Sequence, residues 1–380
     1  MLKRIPFFLS MMVVVAGLSC NALHAADVTG DLVAALNEVP MSAPLAASAY
    51  FPLLPYGADD ATPPQFMPLA SNRDLQQPQI GVTRAIIAIH DYTRDADAAM
   101  NLIATLAGSN NATTIILAPQ FLLQADILRL AGQLPDRGKF FVRWGLNGLT
   151  SPWEDGGDSI TTSTNPKGIS SFTAMDLLMI YLANRAMFPD LQQIIVVGHG
   201  SGGTFVQRYA ALTNINDILR QDNLALRFVA ANPTSFLYLT PKRPAKDKRR
   251  FDIPDSTTCP DYNAYRYGLD KLNDYGRRLG INGIKTGYLN HDVIYLTGEG
   301  TALQDTVPDS NCGALIQGKN RADRAHHYAL YLDTLYGDSA KNTHHFVSIP
   351  KVGLNATAIF GTACGVSALF GDGFGDGSCL

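Results

Sequence analysis

The stretch from Ile194 to Gly203 carries the residues best placed to do chemistry. A β-branched apolar run ends in Gly-His-Gly-Ser-Gly-Gly, and a segment compatible with a helix follows. A strand, a G-x-S-x-G turn and a helix are typical of a site that exposes a serine nucleophile to a carbonyl carbon. Gly198 and Gly202 flank the apex at that spacing, however, and the residue between them is Gly200. Glycine adopts such a strained backbone readily, but it has no oxygen with which to attack.

Ser201 offers the alternative nucleophile. Placing it at the apex requires the preceding strand to run one residue longer. It also puts the bulky His199 two residues before the apex, where a small residue is needed. The spacing therefore favours Gly200 at the apex, with Ser201 as the fallback, and a serine would in addition need an adjacent base.

Apolar runs separated by helical patterns must position this turn. Uninterrupted apolar runs are typical of parallel strands buried on both faces. The predicted strands are 66–70 as an edge strand, 85–89, 114–118, 194–197, 226–231, 293–296 and 346–349. The predicted helices are 96–106, 171–186 with a cap at Ser170 or Ser171, 204–219 and 321–336. This alternation predicts an α/β fold with a doubly wound, mostly parallel sheet.

Several further motifs occur in order along the chain and share one resemblance. They are Ala88–Asp91, Ala118–Phe121, Ile169–Asp176, Gln207–Ala210, Ala231–Thr234, Cys312, Gln317, Gly318, Arg321, Pro350–Gly353 and Phe360. With the turn, they resemble the α/β-hydrolase superfamily, and most of all a group of secreted serine-hydrolase-like proteins. The resemblance spans roughly residues 66–370 and implies an α/β-hydrolase fold with a small cap-like insertion.

The resemblance also implies a catalytic triad, whose three positions depart from the pattern in this chain. The nucleophile position holds Gly200, the acid position holds Thr301, and the base position holds Leu354. Asp305 can substitute as the acid if its loop is longer than in the family pattern, and Glu299 is another substitute. We therefore expect a catalytically degenerate homologue, a pseudoenzyme that acts by binding a ligand or partner. The alternative is an active serine esterase or amidase that uses Ser201, with Asp305 as a rearranged acid.

Asp91 and Tyr92 follow the first core strand at the position of an oxyanion loop. In active relatives, backbone N–H groups here stabilise the tetrahedral anion. Such a pair of donors would survive the loss of the triad and could still bind a carboxylate or carbonyl group. We therefore expect a small-molecule or peptide ligand in the hydrolase pocket, and no cofactor or metal.

The chain begins with the pattern of an exported protein. Lys3 and Arg4 precede a short apolar run, and small residues suit cleavage after Ala25, so 1–25 is predicted to be a signal peptide. A lipoprotein site at Cys20 is the weaker alternative. We expect an extended leader at 26–64 and a hydrolase domain at 65–380, with the insertion at about 235–290. The predicted location is the periplasm or outside the cell.

The cysteine count and the charge of the chain predict disulfides and argue against some classes of partner. Four cysteines remain after cleavage, and an even count in an exported protein favours two disulfides, for which three connectivities are open. We favour Cys259–Cys312 with Cys364–Cys379, because the second bond would close a short glycine-rich loop at the C-terminus. Loss of Lys3 and Arg4 takes the formal net charge from −3 to −5. No basic tract indicates nucleic acid binding, and no later segment predicts a transmembrane helix. The oligomeric state is not indicated.

Overall fold

The computed structural model describes residues 49–53, 65–129, 140–145, 152–163, 166–245, 247, 250–300 and 309–371. The strands are β1 Ala49–Leu53, β2 Gln65–Ser71, β3 Arg84–Ile89, β4 Thr114–Pro119, β5 Gln193–His199, β6 Ala225–Ala231, β7 Arg243–Pro244, β8 Phe251–Asp252, β9 Asp292–Gly298 and β10 His344–Ile349. The helices are α1 Ala96–Ala107, α2 Gln124–Arg129, α3 Ser171–Leu182, α4 Ser201–Leu212, α5 Ile215–Leu219, α6 Asp274–Arg277, α7 Gly280–Leu289, α8 Cys312–Leu315, α9 Arg321–Tyr336, α10 Asp338–Lys341, α11 Ala356–Phe360 and α12 Ala363–Phe370.

Eight strands form one twisted, mostly parallel sheet in the order β1-β2-β4-β3-β5-β6-β9-β10. The pairs from β4 through β10 are parallel, whereas β2 is antiparallel to both β1 and β4. Because parallel neighbours point the same way, the carboxyl ends of β3, β5, β6, β9 and β10 meet at one edge of the sheet. The doubly wound α/β architecture predicted from the sequence is confirmed.

Both faces of the sheet are covered, which explains the uninterrupted apolar runs. Along β3, Ile86 and Ala88 face the core under α1, α11 and α12, while Ala85, Ile87 and Ile89 face the core under α3 and α4. The period of two in a strand sends neighbouring side chains to opposite faces. A strand buried on both faces therefore needs apolar residues at every position.

The structure differs from the predicted elements at the first strand. The run at 66–70 was expected to form an edge strand, but β2 has a neighbour on each side. The outer strand is β1, which lies within the segment expected to be a leader. Phe51 and Leu53 are fully buried in the core. Burial of these apolar side chains stabilises the pairing of this short strand with β2.

The helix predicted at 204–219 also differs, because it begins earlier and divides in two. Helix α4 starts at Ser201 and ends where Thr213 adopts an extended backbone, and α5 follows. The Thr213 hydroxyl accepts from the Ile215 backbone N–H at 3.1 Å. Thr and Asn side chains that hydrogen-bond nearby backbone favour such breaks.

The segment at 235–290, expected to be a cap-like insertion, lies between β6 and β9 in the chain. It contains the β7–β8 hairpin and helices α6 and α7. The predicted disulfide between Cys259 and Cys312 is confirmed, and it joins this segment to α8. Of the second predicted pair, Cys364 lies in α12, whereas Cys379 lies outside the described residues.

Candidate functional site

A tight turn at Gly200 joins β5 to α4 at the carboxyl edge of the sheet. Gly200 has φ +61° and ψ −117°, a backbone conformation that other residues rarely adopt. The turn also requires close backbone approaches. A Cβ at Gly198 would lie 2.4 Å from the Gly202 carbonyl group, and one at Gly202 would lie 2.4 Å from the Ile89 carbonyl oxygen. Gly200 therefore stands at the apex of the turn, and Ser201 is the first residue of the helix.

The carboxylate of Asp91 lies directly in front of this apex. A Cβ built on Gly200 would lie 2.5 Å and 2.6 Å from the two Asp91 carboxylate oxygens. The backbone N–H groups of Ser201 and Tyr92 both donate to Asp91 Oδ1, at 2.9 Å and 2.7 Å. Asp91 and Tyr92 were expected to offer backbone donors to a ligand. The structure shows that the Asp91 side chain itself takes two converging donors.

Asp91 is held as an anion by these contacts. Burial alone would raise the pKa of Asp91. The interaction with His199 and the hydrogen bonds from Ser201 and Tyr92 outweigh that effect, so the pKa lies below its usual value. The carboxylate keeps about a third of its surface exposed, whereas the His199 side chain is only 9% exposed.

His199 connects Asp91 to Asn232 at the end of β6. Asn232 Oδ1 accepts the Gly298 backbone N–H at 2.9 Å, so its amide nitrogen faces His199 Nε2 at 3.2 Å. An amide nitrogen can only donate, so Nε2 must be the acceptor and the ring proton sits on Nδ1. Nδ1 lies 3.6 Å from Asp91 Oδ2. The network thus assigns His199 the neutral tautomer with its N–H directed at Asp91.

Ser201 is buried and is in contact with a carboxyl group of unusual pKa. Its hydroxyl interacts with the carboxyl group of Glu154, which lies in the short 3-10 helix Pro152–Asp155 before α3. Burial raises the pKa of Glu154 to about 7, and neighbouring Asp155 adds to the rise. A carboxyl group with such a pKa exists in both protonation states near neutral pH.

Behind Glu154 lies a network of buried ion pairs. Arg208, from α4, is fully buried and donates to Asp155 at 2.5 Å. Arg266 lies 3.6 Å from Asp155 and 3.3 Å from Asp309. Ser235 completes the network, since it contacts Arg208 at 2.9 Å and Asp309 at 3.0 Å. Charges of opposite sign are paired here, which is the condition under which buried charges are tolerated.

His90 ties the end of β3 to the end of β4. Its Nδ1 donates to the Asp91 carbonyl at 2.9 Å, and its Nε2 accepts the Phe121 backbone N–H at 3.0 Å. Burial lowers the pKa of His90 to about 4, so the ring is neutral. With both ring nitrogens engaged, His90 has a structural role beside the turn.

Of the two remaining predicted triad positions, Leu354 and Thr301, the structure describes only Leu354. Leu354 lies in the loop between β10 and α11, where it is partly exposed. The adjacent Gly353 carbonyl lies 3.4 Å from the Asn232 amide nitrogen. Thr301 and Asp305 lie outside the described residues. The structure thus brings Gly200, Ser201, Asp91 and Tyr92 together.

Three residues of this site could not be assigned to it from the sequence. His199 was considered only for its bulk, Asn232 only as part of a motif, and Glu154 was given no role. One signal was available, because His199 and Asn232 each follow closely after a predicted strand. Parallel strands bring their carboxyl ends to one edge, so both side chains could have been placed near the turn.

A cavity of about 300 Å³ opens beside the turn, between the ends of β3 and β5 and helices α1 and α11. Its apolar walls include Ala88, Ala99, Leu102, Ile103, Val197 and Phe360. Its polar lining includes Asp91 and His199, with Asp95 near the start of α1. Small cavities with apolar walls and few polar groups are typical ligand sites.

Metal and membrane sites were also considered for the part of the chain that the structure describes. Within it, no three His, Cys, Asp or Glu side chains are grouped so that they could hold a metal ion. Within the same residues, no helix is long and apolar enough to cross a membrane.

Comparison with known proteins identifies the fold. No family model and no curated protein sequence matches the chain. Among solved structures, the LpqC poly(3-hydroxybutyrate) depolymerase from Bordetella parapertussis is 17% identical with a TM-score of 0.51, over 87% of this chain and 92% of that one. Poly(aspartic acid) hydrolase-1 from Sphingomonas sp. KT-1 is 19% identical with a TM-score of 0.50, over 82% of this chain and 94% of that one. With the parallel sheet and the strand–turn–helix at Gly200, these similarities show that the chain has the α/β-hydrolase fold.

Proposed function

We propose that this protein is a catalytically degenerate α/β-hydrolase-fold protein that binds a ligand in the cavity beside the Gly200 turn. One observation carries the proposal: the Asp91 carboxylate fills the space in front of the apex. A nucleophile at Gly200 would project into that space. The Ser201 and Tyr92 N–H groups, which would stabilise a tetrahedral anion, already bind Asp91.

The two similar solved structures are named as a depolymerase and a hydrolase. Comparable chemistry at this turn would need a nucleophile, free oxyanion donors and a base. Gly200 supplies no oxygen, and Leu354 cannot accept a proton. The fold and a cavity beside the turn are present in this chain, so binding is the function that these residues support best.

Chemical labelling and ester hydrolysis test the absence of catalysis. We expect no fluorophosphonate labelling and no hydrolysis of short p-nitrophenyl esters beyond that of Ser201→Ala. Labelling of the wild type that disappears in Ser201→Ala would overturn the proposal. Thermal unfolding of each variant serves as the control for folding.

A second candidate function rests on the contact between Ser201 and Glu154. A carboxyl group with a pKa of about 7 that lies beside a hydroxyl group is suited to remove the hydroxyl proton. In that case Ser201 is the nucleophile of a serine esterase or amidase, with Glu154 as the base. Loss of labelling in both Ser201→Ala and Glu154→Gln would select this function. Labelling that persists in Glu154→Gln would exclude Glu154 as the base.

We also propose that the protein is exported to an oxidising compartment. The disulfide between Cys259 and Cys312 supports this location, because such bonds persist mainly outside the reducing cytosol. Fractionation of the host cell, with immunodetection in each fraction, tests it. Recovery only from the cytosolic fraction, with both thiols reduced, would contradict the proposal.

A further inference from the structure

The cavity beside the turn has the size and walls for a short hydrocarbon chain. Its volume of about 300 Å³ is roughly twice that of a cavity known to hold benzene. Helix α1 contributes Ala99 and Leu102 to one wall, and α11 contributes Phe360 to the other. A chain of about six carbons could therefore lie against these apolar walls, which would remove part of its surface from water.

The charge of the lining is negative. Asp91 and Asp95 both line the cavity, and no Lys or Arg does so among the residues that the structure describes. Arg94 lies between them in sequence, but its Nε forms an ion pair with Asp126 Oδ2 at 2.7 Å. His199 is neutral in the tautomer assigned by Asn232. A carboxylate ligand would thus meet only like charge.

The donors that could bind an anion are already used. Asp91 Oδ1 accepts both the Ser201 and the Tyr92 N–H groups. Asp91 Oδ2 has one contact among the described residues, the His199 Nδ1 atom at 3.6 Å, which is longer than an ordinary hydrogen bond. The side chain remains 33% exposed. Oδ2 can therefore accept a further hydrogen bond from a ligand.

We infer that the cavity selects a primary amine with a short apolar chain, whose ammonium group donates to Asp91 Oδ2 while the chain lies along α1 and α11. This inference rests on the proposed function, because it assigns a ligand class to the same cavity. The Asp91 carboxylate accepts the hydrogen bonds that an anionic ligand would otherwise accept in front of Gly200. The site is therefore suited to a cation instead of an anion.

A matched series of six-carbon ligands tests the selection. Hexylamine, 1-hexanol and hexanoate are titrated into the full-length mature protein by isothermal calorimetry at pH 7 and low salt. We expect hexylamine to bind about tenfold more tightly than 1-hexanol, since hydrogen bonds to charged partners are the stronger ones. Hexanoate should bind more weakly than either. Added salt should weaken binding of hexylamine and leave 1-hexanol unchanged.

Three variants test which residues cause the preference for hexylamine. In Asp91→Asn, hexylamine should bind no better than 1-hexanol, whose affinity stays the same. Asp95→Asn is the matched control, since Asn also caps a helix, and it should keep most of the preference. Ala99→Trp, which fills the cavity, should abolish binding of all three ligands. If Asp91→Asn does not fold, the salt dependence in the wild type still tests whether charge attraction holds hexylamine, and Asp95→Asn tests whether Asp95 supplies that attraction.

The outcomes of these titrations separate a failure of the amine selection from a failure of the proposed binding function. If none of the three ligands binds the wild type, the cavity is not a site for short-chain ligands and the proposed binding function fails with this inference. If 1-hexanol binds as tightly as hexylamine, or hexanoate binds best, the amine selection is overturned and the binding function stands. If Asp91→Asn and Asp95→Asn lose the preference for hexylamine over 1-hexanol equally, that preference comes from the overall negative charge of the cavity lining. This result would overturn the contact between the ligand and Asp91.

Discussion

The space in front of the Gly200 turn is filled by Asp91, so these two residues should be energetically coupled. Gly200→Ala places a methyl group where the carboxylate lies and also imposes φ +61° on a residue with a side chain. We expect a loss of about 2–5 kcal/mol in the free energy of unfolding, from backbone strain and overpacking. Urea denaturation measures it.

Gly108 provides a matched control for the backbone part of that loss. It has φ +51° and ψ −121°, close to the Gly200 values, but a Cβ there would meet nothing within 4 Å. Gly108→Ala should cost only the strain, about 1–2 kcal/mol. In an Asp91→Ala background, Gly200→Ala should cost at least about 0.5 kcal/mol less than in the wild type. Equal costs in both backgrounds would contradict the steric conflict.

Asn232 should fix the tautomer of His199. Nitrogen-15 NMR of the imidazole is expected to show the proton on Nδ1 in the wild type, because the Asn232 amide can only donate to Nε2. Asn232→Asp replaces that donor by an acceptor, so Nε2 should become protonated and the ring positively charged. A wild-type spectrum with the proton on Nε2 would contradict the assigned network.

At the scale of elements, local patterns predicted most of the sheet, and long-range contacts account for what they missed. Strand β3 and helix α9 were predicted nearly as observed, because an apolar run and a helical period are visible in sequence. Strand β1 was missed, since its five residues acquire a partner only through β2. The Asp91 contact with Ser201 joins residues 110 apart, and no local pattern signals it.

The disulfide should stabilise the link between the 235–290 segment and α8. Cys259 and Cys312 are separated by 53 residues, and closing a loop of that size in the unfolded chain is worth about 4 kcal/mol in the chain-entropy treatment. The double variant Cys259→Ser, Cys312→Ser should therefore unfold at lower urea concentration. Wild-type protein with reduced cysteines should match it. No change in the midpoint would show that the link adds nothing to stability.

At the scale of the whole molecule, buried ionisable groups make opposite contributions to the pH dependence of stability. Burial raises the pKa of Glu154 to about 7 and that of Asp176 to about 6. Each of these carboxyl groups stabilises the fold fully below its unfolded pKa, and that stability is lost as pH rises through the folded value. Burial lowers the pKa of His90 and of His344 to about 4. The folded state therefore loses their contribution as pH falls below about 6.5.

Comparing variants at each pH isolates Glu154 from these opposing groups. Its unfolded pKa is 4.5 and its folded pKa about 7, so the folded state binds its proton more tightly across that interval. Relative to the wild type, Glu154→Gln should gain about 2–3 kcal/mol in the free energy of unfolding between pH 5 and pH 8, because glutamine has no proton to lose. Asp176→Asn is the control, and its relative gain should level off by about pH 7, since the folded pKa of Asp176 is about 6. A Glu154→Gln difference that is constant with pH would show that the carboxyl group titrates alike in the folded and unfolded chain. The base function considered for Glu154 would then lose its physical support.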